Sequence, residues 1–163
     1  PERKGQQTPW HQDGEYWPIR PLATCTVWIA VDNSTTQNGC LQVIPGSHRD
    51  RQLKKHVANL DPNLNLPLEL DASEFEEAEA IELVLEAGQI SLHDVYLFHG
   101  SAANTSDLPR RGMTLRFMPT SSVYDRSIVA KSSRQGRLSM TERSLFLMRG
   151  EDVSSQNDFL LRH

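Results

Sequence analysis

Two short stretches of this sequence carry side chains that can hold a metal ion. In Trp10-His11-Gln12-Asp13-Gly14 an imidazole and a carboxylate stand two positions apart. On an extended chain, residues i and i+2 face the same way, so His11 and Asp13 share one side and Gln12 takes the other. One nitrogen and one oxygen ligand suit a divalent first-row ion. The triplet alone is weak, because such a pair is common on surfaces. The second stretch, Leu97-Phe98-His99-Gly100-Ser101-Ala102-Ala103-Asn104, ends an apolar strand with a histidine before a Gly-Ser turn. His99 alone reads as a core histidine. With His11 and Asp13 it completes two histidines and one carboxylate, the facial triad of non-haem Fe(II) oxygenases, which leaves the other face of the octahedron open.

A cation follows at a definite distance. Arg110 lies eleven residues after His99, entering a strand that ends at Pro119. A guanidinium grips a carboxylate with two parallel bonds. Strand parity puts Arg110, Thr114 and Arg116 on one face and Arg111 on the other. If that face is the interior, Arg110 is the better anchor and Arg116 the runner-up.

The elements that must position these groups are short strands. Thr24 to Val31, Gly39 to Ile44, Ile81 to Glu86, Gln89 to His93, Val95 to His99 and Gly112 to Met118 are β-branched, alternating or apolar, and most are closed by Gly, Pro, Asn or Asp. A further strand leads into Trp10-His11. About seven such strands predict a mainly β sandwich or barrel. Residues 49–79 read as a polar insert with one helical turn near Ser73 to Ala78, capped by Ser73. Its run of Glu74, Glu76, Glu77 and Glu79 reads as a solvated face. Residues 120–163 read as an extension, with a short amphipathic helix from Met140 to Arg149 ended by Gly150.

The 163 residues are 37% hydrophobic and 23% charged, which fits one globular domain, 1–163. No apolar run reaches membrane-spanning length and no signal peptide is visible, so a cytoplasmic protein is expected. A net charge of −4 argues against a nucleic-acid partner. Cys25 and Cys40 read as reduced, buried thiols.

The pattern W-H-Q-D-G-x-Y-W-P (Trp10 to Pro18), T-V-W-I-A-V-D (Thr26 to Asp32), N-G-C-L-Q-V-I-P-G-S-H (Asn38 to His48) and S-L-H-D…F-H-G-S-x-x-N-x-S…P-R-R (Ser91 to Arg111) resembles the phytanoyl-CoA dioxygenase family. The resemblance runs from Trp10 to about Pro119. It implies a double-stranded β-helix, a jelly-roll, cupin-like fold, here lacking its N-terminal part. It implies an Fe(II)- and 2-oxoglutarate-dependent dioxygenase that hydroxylates an aliphatic C–H of a small-molecule substrate with dioxygen. His11, Asp13 and His99 match the iron ligands. Arg110 matches the arginine on the distal carboxylate of 2-oxoglutarate, Ser101 a hydroxyl beside it, and Trp28 an aromatic wall of that pocket. Asp13 matters because halogenating relatives carry a small residue there.

Asn104 is expected to hold its turn, His48 to be structural, and His93 and Asp94 to be loop groups or supports for the ligands. His56 and His163 carry no signal. Trp10, Tyr16 and Trp17 read as core or as an apolar substrate wall. A missing first strand would leave an edge for a second copy to cover, giving a homodimer. The alternative is a non-catalytic cupin-like module that binds metal or a small acid, or an inactive fragment.

Overall fold

The computed structural model describes residues 5–61, 64, 66–128 and 143–160. The alternating segments form eleven short strands among the described residues: β1 (Thr8–His11), β2 (Ile19–Arg20), β3 (Cys25–Ala30), β4 (Leu41–Val43), β5 (His56–Ala58), β6 (Leu68–Leu70), β7 (Ile81–Leu83), β8 (Ile90–Asp94), β9 (His99–Ser101), β10 (Gly112–Phe117) and β11 (Val123–Tyr124). Two antiparallel sheets, in the orders β1-β9-β4-β7 and β10-β3-β8, make the walls of a jelly roll, the fold class the sequence implies.

Strand β3 shows how sequence sets the interior. Its burial alternates, with Thr26, Trp28 and Ala30 buried and Cys25 exposed. Cys25 is therefore not the buried thiol its type suggests, because its position in the pleat points it outward. The register places Thr26 between Arg116 and His93, and Trp28 between Thr114 and Ser91. The opposite face stacks Ile29 between Met113 and Ile90, and Val27 between Leu115 and Leu92. Met113, Leu115, Ile90 and Leu92 are all exposed on it.

The expected strand Val95–His99 begins only at His99. Residues 95 and 96 form a turn, closed by the Leu97 amide donating to the Asp94 carbonyl at 3.1 Å, and 97–98 are irregular. The insert holds a hairpin, β5–β6, that its polar composition did not announce. Leu70 of β6 joins Ile44 and Phe98 in a buried cluster, against which Trp10 and Phe75 pack. Its helical turn is a 3-10 turn, Ala72–Glu74, capped by Asp71 rather than Ser73. The Asp71 carboxylate accepts the Ser73 amide at 3.0 Å, which places the cap two residues earlier. A second 3-10 turn spans Glu77–Glu79. Of the helix expected over 140–149, residues 140–142 lie outside the described residues and 143–149 are not helical. Phe146 and Met148 are 64% and 73% exposed there, and a short helix without a buried apolar face is not stable. No helix is long and apolar enough to cross a membrane, among the described residues.

One polar side chain ties the insert to the rest. Gln12 is fully buried between His11 and Asp13. Its Nε2 donates to the carbonyls of Gln52 (2.9 Å) and Tyr96 (2.8 Å), and its Oε1 accepts the Lys54 amide at 2.8 Å. Gln12→Leu would leave three backbone groups without a partner. It should cost about 2–4 kcal/mol of folding stability, read as a lower urea midpoint.

Candidate functional site

The site begins with a strand pair. In β1 and β9, His11 and His99 sit directly opposite in the antiparallel register, which brings residues 88 positions apart to ring centroids of 4.1 Å. Asp13 opens the 3-10 turn Asp13–Glu15 after Gln12, whose backbone is still extended. His11, Asp13 and His99 are all buried, and one ligand atom from each lies within 4.8 Å of the others.

Each histidine commits one nitrogen to the backbone. His11 Nδ1 meets the Pro9 carbonyl at 2.8 Å and His99 Nδ1 the Leu97 carbonyl at 2.9 Å. A carbonyl only accepts, so each Nδ1 carries the proton and each Nε2 carries a lone pair. His11 Nε2 lies 3.8 Å from Asp13 Oδ1. Burial pushes both imidazoles down, outweighing the pull of Asp13; for His99 the pKa falls to about 3, with the neighbouring His11 adding to the shift. Both are neutral near pH 7, the form a metal needs.

Asp13 is held from several sides. The Thr26 hydroxyl donates to Oδ2 at 2.8 Å, and His93 Nε2 stands 3.6 Å from the same oxygen. Arg116 Nη2 stands 3.4 Å from Oδ1. Burial pushes the Asp13 carboxyl up, but His93, His99, Arg116 and His11 outweigh it and hold it well below the usual range. With Oδ2 taken by Thr26, Oδ1 is the atom left beside the histidines. Two neutral imidazoles and one carboxylate oxygen at this spacing fit a divalent first-row ion.

Arg110 is half-buried just before β10. It donates from Nη2 to Ser101 Oγ at 3.5 Å, and its Nε is buried with no hydrogen-bond partner among the described residues. Ser101 is two residues past His99 on β9 and is buried. Arg111 points the other way and pairs with Asp32 through Nη2 (2.7 Å) and Nε (2.9 Å). Trp28 lies across Gly112, where a Cβ would sit 2.3 Å from the indole ring, so only glycine fits under it. The N-G motif supports this corner. Asn38 Nδ2 donates to the Pro109 carbonyl at 3.2 Å, next to Arg110, and Gly39, at φ +77°, passes the Ala102 carbonyl where a Cβ would sit at 2.5 Å.

Several other residues resolve as follows. Asn104 holds its turn, donating to the Leu108 carbonyl at 2.7 Å and accepting the Ser106 amide at 2.9 Å. His48 is half-buried in its turn. Trp10 is a packing residue, 5.2 Å from Phe75 and bonded from Nε1 to Glu77. Tyr16 is buried and donates to the Leu68 carbonyl at 2.8 Å. Sequence reasoning missed three supports. Thr26 opens the T-V-W-I-A-V-D motif, but no role was read for its hydroxyl, which holds Asp13. Arg116, read as the runner-up anchor for a bound carboxylate, reaches the chain's own Asp13. His56, read as carrying no signal, accepts the Gln12 amide through Nε2 at 3.1 Å. His163 lies outside the described residues.

The family model for phytanoyl-CoA dioxygenase (PhyH) matches residues 1–112. A phytanoyl-CoA dioxygenase domain-containing protein 1 homolog of Dictyostelium discoideum is 30% identical over 121 residues, covering 72% of this chain and 42% of that protein. EvdO2 of Micromonospora carbonacea var. aurantiaca, solved with 2-oxoglutarate, is 30% identical with a TM-score of 0.59, over 71% of this chain and 46% of that one. ThoJ, a non-heme monooxygenase, shares the fold at a TM-score of 0.68 and 24% identity, over 94% of this chain and 50% of that one. The chain thus spans about half or less of the length of these relatives.

Two outcomes follow. Thr26→Val should weaken binding of a divalent ion such as Co(II) by about 10- to 100-fold, with Thr26→Ser restoring it, read by metal titration. The metal-free protein should also lose stability in acid. The unfolded-chain histidines protonate below about pH 6.5, while His99 stays neutral to about pH 3. The unfolded state then binds more protons, so this histidine alone should remove about 2 kcal/mol by pH 5. Urea midpoints that stay flat from pH 7 to pH 5 would contradict this.

Proposed function

The chain belongs to the phytanoyl-CoA dioxygenase family, and we propose that it carries the catalytic jelly roll of an Fe(II)- and 2-oxoglutarate-dependent oxygenase that hydroxylates an aliphatic C–H bond of a small molecule. The observation that supports this most is the convergence of His11 and His99 across β1 and β9 with Asp13 beside them. In this reading 1–163 is one unit, with the insert at 49–79 closing over Gln12 and the extension at 120–163.

His11 Nε2, His99 Nε2 and one Asp13 oxygen would hold the iron. Arg110, whose buried Nε has no partner among the described residues, would receive the distal carboxylate of 2-oxoglutarate with the Ser101 hydroxyl beside it. Trp28 would wall that pocket, its ring fixed by Gly112. When bound, iron and 2-oxoglutarate together supply the chemistry that activates dioxygen, with 2-oxoglutarate leaving as succinate and carbon dioxide. The protein contributes position. Backbone carbonyls fix both imidazole tautomers, Thr26 orients the carboxylate, and burial keeps water from the ligand set. A carboxylate at position 13 fills the place that a halide would need, which favours hydroxylation.

Anaerobic addition of Fe(II) and 2-oxoglutarate together should produce a weak visible charge-transfer band that neither gives alone. Asp13→Ala should abolish the band and any 2-oxoglutarate-dependent succinate formation. Arg110→Gln should raise the 2-oxoglutarate concentration needed by at least about tenfold. Uptake of 2-oxoglutarate that ignores the metal, or is unchanged in Arg110→Gln, would overturn the reading.

A further inference from the structure

A cleft lined by two arginines lies beside the candidate metal set. Trp17, Ile19, Thr114, Phe117, Tyr124 and Leu145 wall this cleft of about 200 Å³, and the two arginines, Arg116 and Arg143, also line it. No acidic side chain lines it among the described residues. Arg116 joins the cleft to the site. Its guanidinium sits 4.8 Å over the Trp17 ring, donates to Thr114 Oγ1 at 3.3 Å and reaches Asp13 Oδ1 at 3.4 Å. Arg143 is exposed at the outer side.

This position is distinct from that of Arg110. Strand β10 separates Gly112 from Arg116 by four residues, roughly 13 Å along an extended strand. Arg110 stands at the Ser101 end and Arg116 at the Asp13 end. Without an ion, Asp13 is the counter-charge of Arg116. When Asp13 is a metal ligand, its negative charge is shared with the ion, and Arg116 is left with Arg143 facing apolar rings. Cations at an apolar wall recognise an anionic head on an apolar body. The volume is below that of a drug-sized pocket, so the body is small.

We propose that this cleft binds the substrate, and that the substrate is a small monocarboxylic acid with an aromatic or branched apolar body. Its carboxylate lies between Arg116 and Arg143, and its carbons lie against Trp17 and Tyr124, with Arg116 joining the cleft to Asp13. This assignment rests on the oxygenase reading and names the substrate class for it.

The test uses the protein loaded with Mn(II) and saturated with 2-oxoglutarate, so that Arg110 is already occupied. Calorimetric titrations compare phenylacetate with phenylacetamide, and 3-phenylpropionate with its amide. At least one acid should bind, at least about tenfold more tightly than its amide. Arg143→Gln, at an exposed position, should collapse that preference by weakening the acid and not the amide. The proposal is overturned if neither acid binds, if the amide binds as well as its acid, if the acid displaces 2-oxoglutarate, or if Arg143→Gln keeps the preference. Failure of the wild type to take up Mn(II) and 2-oxoglutarate at all would instead overturn the oxygenase reading, and this assignment with it.

Discussion

The structure around the site is organised by one costly act, the burial of the Asp13 carboxylate. A charge that is 4% exposed must be met by donors or it will take up a proton. Those donors come from three places in the chain. Thr26 comes from β3, His93 from β8, and Arg116 from β10. The register explains why these three are available, since Thr26 lies between His93 and Arg116 in one row across the sheet. Asp13 itself follows the end of β1 in the other sheet. The carboxylate therefore links both walls of the jelly roll, and the imidazoles of His11 and His99 are set beside it by β1–β9 pairing.

The motif residues that do not touch the site are spent on backbone placement. Asn38 and Gly39 shape the corner before β4, where Asn38 also holds Pro109 and thus the approach to Arg110. Ser47, in the Pro-Gly-Ser-His turn, accepts the Phe98 amide at 2.9 Å, and Ile44 donates its amide to the Phe98 carbonyl at 3.1 Å. That fixes the residue before His99 from both sides. Gln12 does the same for the insert. Rigid strands with satisfied neighbours hold a ligand set better than free loops can.

What the sequence revealed follows from the range of the interactions. His11 and Asp13 were legible because i and i+2 share a face, and β3 and β10 were legible because alternation is local. The meeting of His11, Asp13 and His99 was readable from residue type and spacing, while the Arg110–Ser101 contact followed from the family resemblance and the turn role of Asn104 from its side chain. Thr26 and His56 were not, because their partners Asp13 and Gln12 lie on other strands, and a threonine in a strand looks like any other. The β5–β6 hairpin escaped for a related reason. Only Leu70 is deeply buried in it, so its composition reads as a loop. The described part of the expected C-terminal helix failed because periodicity without a surface to bury it against does not make a helix.

Formal charge links the two arginines. With both ligand imidazoles neutral, the set carries the single negative charge of Asp13, and Arg116 balances it. In the proposed oxygenase reading a divalent ion would bring two positive charges and 2-oxoglutarate two negative ones, with Arg110 set to face the far carboxylate. Arg110 and Arg116 together exceed Asp13 by one, so a site loaded in that way would hold one positive charge that no described ligand group cancels. In a partly buried setting of low effective dielectric that excess favours an anion over a neutral molecule of the same shape. Arg116, placed between Asp13 and the cleft, is where the excess is felt, because the ion weakens its hold on the only carboxylate it contacts among the described residues.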